Sequence, residues 1–232
     1  MSFLKLDLHV HTVASGDSLI SPRSLISHAK SKGLDGIAIT DHNNMEAYRE
    51  IKELTKNEEL IIIPGIEIET NIGEVIGLFL ENEIDFPDNN FFTIIDKIRK
   101  NEGVVIVPHP FDILRDNHLK MDLLSDKIIK KYIDGMEIIN SRIILKKCVR
   151  KARECANKYN LFETGGSDAH TPKEIGQAYT LVWNFHDTSL QSIKRALKNG
   201  YSKSMGSLSS PFVHLTTVLH KLKKGVYFSS FL

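Results

Sequence analysis

With 232 residues, 41% of them apolar, the chain can bury a sizeable core, which excludes global disorder. Lysine and arginine number 30 against 29 aspartates and glutamates, so no overall field attracts a polyanion and charge does not imply nucleic-acid binding. No apolar run approaches the roughly 20 residues of a membrane span, and the opening MSFLKLDLHV lacks a leader's basic start, so the expected location is cytoplasmic.

Phe3, Leu4, Leu6, Leu8 and Val10 mark a first strand that exits through Asp7-Leu8-His9-Val10-His11-Thr12. Alternation places His9 and His11 on one face, about 7 Å apart, with Leu8 and Val10 on the packing side. Asp7 shares the histidines' face and is expected to take a proton from a ligand imidazole. A small-residue loop leads to Asp17, and Ser21-Pro22 starts a helix over 23–32 that Gly33 stops. LDGIAIT (34–40) is a buried strand ending at Asp41-His42, and Asn43-Asn44 caps a helix to about Lys56. A third strand, 60–63, is broken by Pro64-Gly65, and a hairpin over 66–71 and 74–80 turns at Asn71-Ile72-Gly73.

A helix over 90–101 precedes the strand 104–107, which Pro108-His109-Pro110 closes. Beyond a loop with Asp112, Arg115 and His118 come a helix near 122–131, the strand IDGMEII (133–139) with Glu137, and Asn140. A long helix over 142–159 carries Cys148 and Cys155, which form no CxxC and read as free thiols of a reducing compartment. The strand 162–164 runs into Gly165-Gly166-Ser167-Asp168-Ala169-His170, where the glycines read as a close-packed turn. A strand over 178–183 and a helix over 189–199 complete the alternation, which argues for one domain with a mainly parallel sheet. The domain is placed at 1–200. Residues 201–232 read as a C-terminal extension, with a serine-rich linker (202–210) and a helix at 212–223. The extension either packs on the barrel, mediates a homodimer contact or touches a partner.

The polar residues recur at one place in this pattern. His9, His11, His42, Glu67, His109, Glu137, Asp168 and His170 stand at or just past strand C-terminal ends, which converge on one face of a parallel α/β barrel. His28, His118, His186, His214 and His220 fall outside it and read as ordinary surface or hydrogen-bonded histidines.

The ordered set DLHVHT, TDH, GIE, PHP and SDAH resembles the PHP (polymerase and histidinol phosphatase) metallophosphoesterases over residues 1 to about 200. The resemblance implies an α/β fold, a distorted (β/α)7 barrel, with two or three divalent ions (Mn, Fe or Zn) at the mouth. It makes His9 and His11 ligands of a first metal shared with Asp168, Glu67 the bridge to a second, and His109 a second-metal ligand. Asp17, His42 and His170 take the third site. Many relatives add a histidine or cysteine near the strand that here reads GMEIINS; asparagine is a poor ligand, so the second site is completed by Glu137 or by water or is weakly occupied, with Glu137 otherwise orienting a neighbour.

Such ions polarise a phosphoryl oxygen and lower the pKa of a bridging water, whose hydroxide attacks phosphorus in line. His9, Glu67 and Asp168 are the residues on which turnover depends, with Arg115 a candidate phosphate ligand and Arg142 a second, set against its reading as a solvated surface arginine. The expected activity is hydrolysis of small phosphomonoesters, nucleotide-type by kinship, with no membrane partner. A 5′-3′ exonuclease on short oligonucleotides, a histidinol-phosphate-type phosphatase, an amidohydrolase and a non-catalytic metal-binding module are the alternatives. The exonuclease needs a basic or aromatic track to the mouth, and the module needs lost ligands.

Overall fold

The computed structural model describes residues 2–80, 82–183 and 185–209. Nine strands form one sheet: β1 (Leu4–Val10), β2 (Gly36–Ile39), β3 (Ile61–Thr70), β4 (Gly73–Leu78), β5 (Val104–Val107), β6 (Gly135–Asn140), β7 (Phe162–Gly166), β8 (Ala178–Val182) and β9 (Ser202–Gly206). Their order is β7-β6-β5-β4-β3-β2-β1-β8-β9. Among the described residues six α-helices cover it: α1 (Pro22–Ser31), α2 (Glu46–Leu54), α3 (Phe91–Lys100), α4 (Asp126–Tyr132), α5 (Lys146–Tyr159) and α6 (Leu190–Lys198).

The sheet curls into a nearly closed barrel. β7 and the loop after it meet the other end of the sheet, where Asp168 N–H donates to His9 O (2.8 Å) and His11 N–H to Ala169 O (3.1 Å). Thr180 Oγ1 accepts from Gly165 N–H at 2.8 Å and donates back to its carbonyl at 2.9 Å. The expected mainly parallel sheet is half antiparallel: four strand pairings run parallel and four antiparallel. Seven of the strands therefore run one way, and β4 and β8 run against them.

Three segments differ from expectation for identifiable reasons. Pro64-Gly65 does not break β3; the strand continues and changes partner, with Pro64 opposite Ile39 of β2 and Gly65 opposite Leu78 of β4. The serine-rich 202–206 is a strand, because its serines alternate inward and find acceptors on β7: Ser202 Oγ donates to Glu163 O (2.7 Å) and Ser204 Oγ to Glu163 Oε2 (3.0 Å). The helix expected from Arg142 starts at Lys146, since Asn140 Oδ1 accepts the Arg142 N–H at 2.9 Å and turns the chain first. The helix expected at 212–223 lies outside the described residues.

Leu4, Leu6 and Leu8 of β1 pack inside the barrel with Ile76, Leu78 and Ile106, and Ile193, Ala196 and Leu197 of α6 close the end opposite His9. Val10 instead packs outward, in the cluster that α1 and α2 share with Ile37 and Ile39. Strict alternation does not allow Leu8, His9 and His11 all to face inward. A register shift between Asp7 and Val10 resolves this by re-aiming the strand at its exit. The barrel thus keeps an apolar lower half and a polar mouth. No described helix is long and apolar enough to cross a membrane.

Candidate metal centre

Strand ends bring His9, His11, Asp17, His42, Glu67, His109, Asp168 and His170 together at the mouth, and all but His42 are buried. Glu67 lies at the middle. Its Oε2 is 3.4 Å from His9 Nε2, 3.2 Å from His11 Nε2 and 3.3 Å from His42 Nδ1, and its Oε1 is 3.1 Å from His109 Nε2. Asp168 Oδ1 lies 3.7 Å from His9 Nε2 and 3.4 Å from His11 Nε2. Asp17 Oδ2 stands 3.2 Å from His170 Nε2 and 3.6 Å from His42 Nε2. Asp168 adopts φ +53° and His109 φ +29°, left-handed backbone of the kind that clusters at functional sites.

The two rings of the HxH pair are held from behind. His9 Nδ1 faces Glu137 Oε1 at 3.1 Å, so it donates there and leaves the Nε2 lone pair inward. His11 Nδ1 lies 2.9 Å from Ser15 Oγ, whose only proton goes to Asp41 Oδ1 at 2.9 Å. Ser15 must therefore accept from His11, which fixes the same tautomer.

The geometry supports the orienting reading of Glu137. Its Oε2 accepts from His109 N–H (2.7 Å) and Asn140 Nδ2 (2.9 Å), so both oxygens are engaged in orienting neighbours instead of ligating. Asp7 differs: its oxygens accept the backbone N–H groups of Ser167 (2.9 Å) and Gly176 (2.8 Å), pinning the loop after β7 instead of serving an imidazole. Arg142 is no surface arginine. It is buried, with Nη1 2.7 Å from His170 Nδ1 and Nε 3.3 Å from Glu174 Oε1. Arg115 reaches the site, Nη2 to Asp168 Oδ2 at 2.6 Å and Nε to Asp112 Oδ2 at 3.3 Å. Gly165 and Gly166 are extended residues of β7, not a turn.

His28 and His186 stand elsewhere, and His118 only braces its loop through Arg115 O (2.6 Å). His214 and His220 lie outside the described residues. One acid at the mouth went unread in the sequence: Glu74 of β4, buried, with Oε2 3.3 Å from His109 Nε2. Period two would have found it, since Ile76 and Leu78 of the same strand face the interior and Glu74 is two residues earlier.

The donor set fits divalent ions. Three groups, His9/His11/Glu67, His11/His42/His170 and His42/Glu67/Glu74, each hold candidate ligand atoms within 4.8 Å of one another. His9 Nε2 and His11 Nε2 are 3.0 Å apart. Bonds of about 2.1 Å give polyhedron edges of roughly 3.0–3.4 Å, which matches the separations around Glu67. Imidazole with carboxylate suits Mn²⁺, Fe²⁺ or Zn²⁺.

The electrostatics point the same way. Burial alone would lower His9, yet Glu67, Glu137 and Asp168 hold it well above the usual range. Burial is likewise overcome at His11, raised to about 10 by Asp168 and Glu67, and at His109, raised to about 9 by Glu67 and Glu74. His170 goes the other way, lowered to about 4 by burial and by His11 and Arg142. A field that raises imidazoles so far favours any cation at this spot.

A pH prediction follows for chelated protein. His11 and His109 contribute stability that is complete below their unfolded value of 6.5 and lost as pH rises through about 9 to 10. The melting temperature in EDTA should fall over that window, and saturating Mn²⁺ should remove the fall by replacing the protons. Melting curves from pH 7 to 10 with and without Mn²⁺ check it.

A family model of the PHP domain matches residues 7–216. The chain belongs to the PHP domain family. An uncharacterized protein of Methanocaldococcus jannaschii is 39% identical over 178 residues, 76% of this chain and 69% of its own length. A protein of Caldicellulosiruptor saccharolyticus, named a probable phosphatase, is 26% identical over 206 residues, 75% of this chain and 84% of its own. A solved two-domain protein of Bacteroides vulgatus, described as containing a predicted PHP-like metal-dependent phosphoesterase, superposes with a TM-score of 0.75 at 22% identity. That match covers 89% of this PHP domain chain and 65% of the other, so this chain spans under two thirds of that protein. The PHP domain match runs past residue 200 and includes β9, in keeping with the place of that strand in the sheet.

Proposed function

We propose that this PHP domain is a metal-dependent phosphoesterase hydrolysing small phosphomonoesters, nucleotide-type among them. The observation that carries the reading is Glu67, one buried carboxylate within 3.4 Å of four inward imidazole nitrogens. The phosphatase naming of a relative over most of this chain supports it. Divalent ions held there supply Lewis-acid polarisation of a phosphoryl oxygen and an acidified water.

The chain's own residues supply the rest. His9, His11 and Asp168 would hold a first ion, with Glu137 and Ser15 locking the rings. Glu67 and His109 would hold a second, and Asp17, His42 and His170 a third. Arg115 is 21% exposed and keeps N–H donors beyond its contacts with Asp168 and Asp112, so it can take an equatorial phosphoryl oxygen. Exposed Ile113 and Leu114 beside it offer apolar contact to the organic group.

Two of the mouth loops give the oligonucleotide reading no basic track. Residues 11–21 and 40–45, which carry His11, Asp17 and His42, contain no lysine or arginine. The test is a turnover screen over nucleotides, sugar phosphates, histidinol phosphate and short oligonucleotides with Mn²⁺, Fe²⁺ and Zn²⁺. Monoester hydrolysis that stops in EDTA is expected. Activity confined to oligonucleotides, or undiminished by the chelator, overturns the proposal.

A further inference from the structure

The second metal position has an apparent gap. The strand that reads GMEIINS offers Glu137 and Asn140, and both are spent. Glu137 serves His9, His109 N–H and Asn140; Asn140 Nδ2 donates to Glu137 Oε2 (2.9 Å) and Asp168 Oδ2 (3.2 Å). What remains at that position is His109 Nε2 and Glu67 Oε1, two donors where a structural or catalytic ion takes at least three protein ligands.

We infer that Glu74, from the reversed strand β4, is the missing ligand of the second metal. This rests on the metal-dependent reading and adds a residue to it. The decisive detail is which nitrogen Glu74 faces. Glu137 approaches His9 at Nδ1, the outer side of a ring whose Nε2 points inward, as an orienting carboxylate does. Glu74 approaches His109 at Nε2, the same nitrogen that faces Glu67, with Oε2 at 3.3 Å. It therefore stands on the ion's side of the imidazole, and the outer nitrogen, His109 Nδ1, is buried with no hydrogen-bond partner. Glu74 also forms a ligand-atom group with Glu67 and His42 within 4.8 Å.

The placement follows from the topology. The β3–β4 hairpin sets Glu69 opposite Glu74 and Glu67 opposite Ile76, so Glu74 rises two residues above an interior position, level with the mouth. Glu74 is 3% exposed in an otherwise apolar strand, and its charge faces the ion position together with His109. Two carboxylates and one imidazole also make the second site harder than the first, favouring Mn²⁺ or Fe²⁺ over Zn²⁺ there.

The experiment compares wild type, Glu74→Gln and Asn140→Ala by equilibrium dialysis with metal analysis, and by Mn²⁺ titration followed by EPR. Gln is isosteric and keeps one acceptor toward His109 Nε2, and circular dichroism with the melting curve of the chelated variant shows that it still folds. Glu74→Gln is expected to lose one Mn²⁺ equivalent, its site weakened by more than roughly 100-fold, beyond what an outer hydrogen-bond partner contributes. Asn140→Ala, which removes only an outer partner of Asp168 and Glu137, should keep the full complement at saturating Mn²⁺ with an affinity loss of no more than roughly 100-fold. Undiminished stoichiometry and affinity in a folded Glu74→Gln overturn the assignment and leave the phosphoesterase reading standing. Failure of wild type to bind any divalent ion overturns both.

Discussion

Glu67→Gln is expected to abolish turnover, by roughly 10³-fold or more, in a protein that still folds. Oε2 of Glu67 faces His9, His11 and His42, and Oε1 faces His109, so the carboxylate is the one group that touches donors of every candidate position. An amide of the same shape keeps one acceptor and loses the charge that two neighbouring cations share. Its NH₂ group would point donors where cations belong. Gln is chosen over Ala because it keeps the shape and one acceptor; the charge, on a carboxyl that His9, His11 and His109 hold well below the usual range despite its burial, is lost in both variants, but Ala also opens a cavity. Deleting one side of a buried charge cluster costs about 3–5 kcal/mol, and Glu67→Ala could lose activity by unfolding. The check is kcat with saturating Mn²⁺ beside circular dichroism and bound-metal content. Wild-type kcat in folded Glu67→Gln removes the bridging role.

Most of this centre is legible in the sequence because its residues follow strands whose ends topology forces together. His9, His11, His42, His109, Asp168 and His170 each sit at or just past a short apolar run, and the barrel needs only to close for them to meet. Apart from Glu74, which the period of β4 marks, what escaped reading depends on contacts no pattern carries. Glu137 and Asp7 look like ligands or their partners by position, but which atoms they reach is set by the bulge in β1 and the turn of the loop after β7. Arg142 resembles a surface residue in a charged helix until Asn140 delays that helix and turns the guanidinium onto His170. The serines of 202–206 resemble a linker because their acceptor, Glu163, is 39 residues away in sequence from Ser202. Pro64 looks like a break, yet it falls where β3 trades β2 for β4, the one place in that strand where a missing donor is harmless.

Gly166→Ala is expected to lower turnover by about 100-fold while most of the fold survives. Gly166 ends β7 with ordinary backbone torsions, so nothing about its conformation demands glycine; what demands it is space. A Cβ there would come 2.4 Å from His9 Cβ and 2.6 Å from Glu137 Oε1, closer than either atom tolerates. Neither neighbour can retreat freely, because Glu137 is tied to His109 N–H and Asn140 and His9 is a strand residue. The added methyl must therefore part His9 from the carboxylate that sets its tautomer, and a shift of about 1 Å in a positioning group is worth about 10²-fold in rate. Overpacking of this kind costs about 1–3 kcal/mol, a few degrees of melting temperature for a chain of this size. Gly33→Ala is the control: it has φ +62° and nothing within 4 Å of its Cβ, so it should lose about 1 kcal/mol of stability and no turnover. If Gly166→Ala acts by separating His9 from Glu137, then combining it with Glu137→Gln should lower kcat by clearly less than the product of the two single effects. Full additivity, or wild-type turnover in Gly166→Ala alone, would mean that His9 does not depend on Glu137 for its alignment.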